Sequence, residues 1–125
     1  MTAMQTNVAK AYQQQAVLTA SKEKLVVLLY DGAILNIDRA QRAFDASDVA
    51  AIGEAIGRAF AIIGELRSSI DHEQGGEIAE NLERLYDFAQ DRLVNANRDR
   101  DPSPLSEARS VLVTLKEGWN AVIRS

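Results

Sequence analysis

Between residues 49 and 70 the apolar side chains fall at Val49, Ile52, Ile56, Ala59, Ile63, Leu66 and Ile70, alternating spacings of three and four. Leu105, Ala108, Leu112, Leu115, Trp119 and Val122 repeat the rhythm near the end of the chain, and Ile78, Leu82, Leu85, Ala89, Leu93 and Ala96 nearly do. That period belongs to helices packed side by side at shallow angles. No proline stands before Pro102, so long helices are permitted over most of the chain. The pattern predicts four. The first follows Ser21 as N-cap and runs to about Phe44. The second follows Ser47 and runs to about Asp71. Gly75 and Gly76 break the chain, and the third helix runs from about Glu77 to Asn97. A polar loop through Pro102 leads to the fourth, from Pro104 or Leu105 to about Val122. Short connections force antiparallel neighbours. The expected fold is all-α: an antiparallel up-down four-helix bundle over residues 21–125, preceded over residues 1–20 by a glutamine-rich, mobile N-terminal arm or short helix, the helical piece falling around Tyr12 to Val17.

Composition removes most chemistries. The 125 residues are one domain's worth, and cysteine is absent, so neither disulfides nor thiol catalysis can operate. A helical bundle raises the question of a di-iron or di-manganese centre, built on Glu-x-x-His pairs. The single histidine, His72, has Ser69 three residues before it. His72 is expected at the C-terminal end of the second helix, as a favourable helix-end cation when protonated. Asp31, Asp38 and Glu77 offer no spacing that would pair them as acid and base. Phosphate-binding glycine loops are missing. No cofactor or metal is expected, and nothing in the sequence requires an enzyme. A net charge of −4 argues against nucleic acid or an anionic membrane surface as main partner. With no apolar run near membrane-spanning length and no apolar signal core, the expected location is cytoplasmic.

The apolar surface exceeds what one core stripe needs. In the first helix Leu25, Val26, Leu29, Tyr30, Ala33, Ile37, Ala40 and Phe44 fill a core face, while Leu28 and Leu35 point elsewhere and Val27 and Ile34 lie on the flank. A central helix touched by all the others would explain this; so would a groove that receives a partner's helix. The second helix carries a line of small residues: Ala50, Gly53, Gly57, Ala61, Gly64 and Ser68. Each helical glycine costs about 1 kcal/mol relative to alanine. Close packing inside the bundle is the favoured explanation, and a smooth trough for an external helix the other. Phe88, Val94 and Val113 face away from their core stripes.

Four blocks of sequence resemble a known family. AYQQQAVLTAS at 11–21 is similar to a tyrosine-glutamine segment leading into a first long helix. LVVLLYDGAI at 25–34 is similar to a helix-one signature. EQGGEIAENLERLYDF at 73–88 with RLVNAN at 92–97 is similar to a helix-three signature, and Trp119 stands where a last-helix tryptophan is common. Together they resemble the flagellar export chaperones for flagellin, the FliS family, over about residues 11–123. Lys22 departs from the pattern, since members often carry proline after that serine.

The resemblance implies a chaperone without ATPase activity. It would bind the disordered C-terminal segment of flagellin in apolar grooves, block premature assembly and deliver the subunit to the flagellar export gate. A flagellin-homeostasis regulator is a further implied partner, and Tyr12 would anchor the arm over a groove. Expected partner-binding residues are Tyr12, Leu18, Leu28, Tyr30, Ile34, Leu35, Gly57, Ala61, Gly64, Tyr86 and Phe88. The rival expectation is a structural or regulatory four-helix protein acting through homo-oligomerisation; a homodimer fits either reading.

Overall fold

The computed structural model describes residues 22–124, with side chains from 24 to 121. Four helices occupy this span: α1 (Lys22–Asp45), α2 (Val49–Ser68), α3 (His72–Asp99) and α4 (Ser103–Arg124). They pack in a ring, α1 against α2 and α4, and α3 against α2 and α4. This is the all-α four-helix bundle that the periodicity predicts. Ser21, Tyr12 and Leu18, with the rest of the expected arm, lie outside the described residues.

The helix ends differ from expectation in informative ways. Asp48, not Ser47, is the N-cap of α2, its carboxylate accepting from the Ala51 amide. Ser47 instead adopts a left-handed φ of 55°, which turns the chain between α1 and α2. The second helix stops at Ser68 rather than Asp71, because Asp71 caps the next helix by accepting from the Glu73 and Gln74 amides. His72 is therefore the first residue of α3 and not the last of α2. Protonated there, it would meet the positive end of the helix dipole instead of the negative end. Its Nε2 lies 3.5 Å from Glu83 Oε2. The glycine pair still breaks the chain, but inside α3: Gly76 takes φ 51°, ψ −121° after a single opening turn. Arg100 closes α3 in the left-handed region, and the Asp101 carboxylate accepts from the Ser103 amide to begin α4.

The core is the union of the four stripes. Ile52, Ile56, Ala59, Ile63 and Leu66 from α2 and Leu105, Ala108 and Leu112 from α4 are buried as their spacing requires. In α3 the buried stripe is Ala79, Tyr86, Ala89, Leu93 and Ala96, with half-buried Leu82 packed against the core. Ile78 and Leu85, expected inside, are exposed. A strict alternation of three and four counted back from Ala96 reaches 93, 89, 86, 82 and 79; choosing residues by hydrophobicity rather than period put two positions one residue off. Leu25, expected on the core face of α1, is likewise exposed, although its neighbours Val26 and Leu29 pack against the core.

Candidate functional site

Two of the expected contact residues belong to the interior. Tyr30 on α1 is fully buried and Tyr86 on α3 nearly so. Their hydroxyls meet at 2.5 Å across the diagonal of the bundle, the rings tilted at 40°. Trp119 Nε1–H on α4 donates to the Tyr30 hydroxyl at 3.1 Å. Three helices are thus joined by one polar knot in an apolar core. Burial pushes both phenols above their usual pKa, Tyr86 the further; hydrogen bonding at Tyr30 opposes that rise without cancelling it. Tyr30 and Tyr86 cannot line a surface groove in this structure, because their hydroxyls find their partners inside.

Three of the four helix contacts are also laced by ion pairs at the surface. Asp38 accepts two bonds from Arg109, and Asp31 pairs with Lys116, holding α1 to α4. Arg92 reaches Glu107 between α3 and α4. Arg67 on α2 reaches Glu83 and Asp87 on α3 and also donates to Gln90 Oε1. Gln90, buried, donates onward to the Phe60 carbonyl.

The remaining expected contacts divide between two separate surfaces. Leu28 and Leu35, seven residues apart, are exposed on the outer side of α1. Ile34 is half-buried and packs against the core. On the other surface, Gly53, Ile56, Gly57, Phe60, Val94, Asn97 and Arg98 line an open groove of about 330 Å3 between α2 and α3. A Cβ built on Gly53 or on Gly57 would touch nothing within 4 Å, and one on Gly64 would rest 3.6 Å from Gln90 Nε2, an ordinary contact. Close packing within the bundle therefore does not explain Gly53 and Gly57, contrary to the favoured expectation. Ala61 is exposed further along α2. Phe88 is exposed on α3, with the Arg92 guanidinium 5.7 Å over its ring.

Phe60, 41% exposed, is the contact-capable residue that sequence reasoning missed. Its spacing three residues after Gly57 carried the signal. Ile78 and Leu85, assigned to the core by pattern, add exposed apolar surface on α3. Among the described residues no group of acidic or histidine side chains could hold a metal ion, and no helix is long and apolar enough to cross a membrane.

The family described as "Flagellar protein FliS" matches residues 4–125. The chain is 38% identical over 117 residues to flagellar secretion chaperone FliSB of Pseudomonas aeruginosa, covering 90% of this chain and 93% of that one. It is 39% identical over 118 residues to flagellar secretion chaperone FliS of Salmonella typhimurium, covering 90% and 87%. With the Campylobacter jejuni flagellar secretion chaperone FliS it shares 33% identity over 120 residues, 95% and 94% of the two chains. The chain belongs to the FliS family of flagellar secretion chaperones and is not an enzyme.

Proposed function

We propose that this chain captures flagellin in the cytoplasm by its disordered C-terminal segment, keeps it from polymerising early and hands it to the flagellar export apparatus. The observation that carries the reading is the open α2–α3 groove, where Gly53 and Gly57 weaken their own helix although a side chain at either would meet nothing in the bundle. Phe60 and Val94 leave apolar surface along that groove, and Leu28 and Leu35 leave more on α1. A segment wrapping the bundle could cover both surfaces, with α2 between them. Such wrapping loses ordering entropy and needs a large contact area to be tight. Tyr12 and Leu18 contribute to the same contact, Tyr12 as an amphipathic anchor. The export gate and a regulator of flagellin homeostasis engage the loaded chaperone.

Calorimetric titration of the full chain with intact flagellin and with flagellin lacking its C-terminal region tests this. Binding is expected only with the intact protein. Equal affinity for the truncated flagellin would overturn the wrapping reading. Light scattering on the chaperone alone reports whether the apolar surface is instead used in self-association.

A further inference from the structure

His72 Nε2 lies 3.5 Å from Glu83 Oε2, although the two residues stand far apart on the same helix. Over the span from 72 to 83 an unbroken α-helix rises roughly 16 Å, at 1.5 Å per residue, which is beyond the combined reach of the two side chains. They meet because the chain bends at Gly76, whose φ of 51° and ψ of −121° fold the opening turn, residues 72–75, back along α3. A second distance records the same fold. A Cβ on Gly75 would stand 2.7 Å from that of Ala79, whereas residues four apart in a regular helix keep their Cβ atoms about 5–6 Å apart. The turn is closed on itself by the Gly75 amide, which donates to the Asp71 carbonyl at 2.8 Å.

Glu83 is shared between two elements. Its Oε1 lies 3.6 Å from Arg67 in the last turn of α2, and its Oε2 faces His72 at the start of α3. One carboxylate thus holds both sides of the α2–α3 corner. The charged groups around the imidazole are Asp71 in the connection, Glu73 in the turn itself, Glu83 and Asp87 on the body of α3, and Arg67 from α2. The other helix packed against α3, α4, brings no ion pair to this cluster among the described residues.

We propose that the opening turn of α3 is a proton-sensitive clasp, hinged at Gly76 and fastened by His72 against Glu83. Histidine is the side chain that changes charge between about pH 5 and 8. Protonation shifts the balance between a closed and an opened turn only by what the charge gains in one arrangement and not in the other. Asp71 and Glu73 adjoin His72 in sequence in either arrangement, and the dipole of the opening turn travels with it, so none of these discriminates. Glu83 does, because it meets the ring only when the turn is folded back. Arg67 opposes the added charge, but it is itself answered by Glu83 and Asp87. Closure is therefore favoured as pH falls and relaxes as pH rises. Both partners are half-exposed, which makes this a graded bias of a few-fold and not an all-or-none switch.

Amide hydrogen exchange on the full chain tests the clasp, with each rate divided by the intrinsic rate at the same pH so that base catalysis cancels. In the wild type the amides of residues 73–76 should be about two- to fourfold better protected at about pH 5.5 than at about pH 7.5. Amides in the middle of α3, from Tyr86 to Leu93, serve as the reference and should not follow. The pH response should vanish in His72→Gln, and also in Glu83→Gln, which keeps the shape of the side chain and removes its charge. Equal protection at the two pH values in the wild type overturns the proposal. So does a response that survives in His72→Gln, or one that the middle of α3 shares, which would be a change in global stability. A response lost in His72→Gln but kept in Glu83→Gln overturns it as well, since the imidazole would then act through some other group.

Discussion

The Tyr30 and Tyr86 hydroxyls meet at 2.5 Å across the diagonal of the bundle, joining two helices that are not neighbours in the ring. Trp119 adds a third helix through the Tyr30 oxygen. A buried polar knot of this kind fixes how the helices rotate against one another, since each hydroxyl is costly if left unpaired.

Removing the two hydroxyls should therefore have unequal effects. Tyr30→Phe leaves both Tyr86 Oη and Trp119 Nε1 without their partner and is expected to cost about 2–3 kcal/mol. Tyr86→Phe leaves the Trp119 bond intact and should cost about 1–1.5 kcal/mol. Urea unfolding of the two variants checks the order. Equal losses would show that the Trp119 bond contributes nothing.

Alkali should unfold the bundle through the same pair. Both phenols titrate above their ordinary value in the folded state because they are buried. The unfolded chain then releases these protons first, at a pKa of about 10. Their contribution is fully present below that pH and is lost as pH rises above it. Melting temperature should fall steeply above about pH 10, and the fall should be shallower in Tyr86→Phe. A flat profile to pH 11 would contradict the assignment.

Gly53→Ala and Gly57→Ala should each stabilise the fold by about 0.5–1 kcal/mol, because the added methyl meets open space and the helix loses less backbone entropy. If the α2–α3 groove receives the client, the same changes should weaken flagellin binding. Thermal melts and calorimetry on one double variant read both effects. A stabilised variant with unchanged affinity would remove the groove from the client's path.

Gly76→Ala should destabilise by more than about 1 kcal/mol, since φ 51° with ψ −121° is open to glycine and strained for alanine. Gly75→Ala should fail for a different reason: its Cβ would lie 2.7 Å from that of Ala79. Circular dichroism melts of each variant distinguish this paired requirement from a merely flexible linker, in which both alanines would be neutral.

The spacing of apolar residues by itself determined four helices and most of the core. A period of three and four admits only one buried face per helix, and the middle of each stripe is buried where the sequence puts it: Ile52, Ile56, Ala59, Ile63 and Leu66 in α2, and Leu105, Ala108 and Leu112 in α4, while Val49 at the start of α2 is exposed. The absence of proline before Pro102 allowed those helices their length. The LYDGAI and GGEIAENLERLYDF blocks carried the family, because their side chains are specific over many consecutive positions. What the tertiary structure decided was the use of residues whose chemistry suits two settings. Tyr30 and Tyr86 are amphipathic enough for an interface, and only the meeting of α1 with α3 turned them inward. Gly53 and Gly57 fit either a tight helix crossing or an open trough, and the choice depended on where the α3 side chains ended. Asn36 reads as an ordinary polar residue, and only the packed bundle leaves it buried with its amide oxygen unpaired among the described residues. Local periodicity fixes which face a residue occupies; which neighbour that face meets is a property of all four helices together.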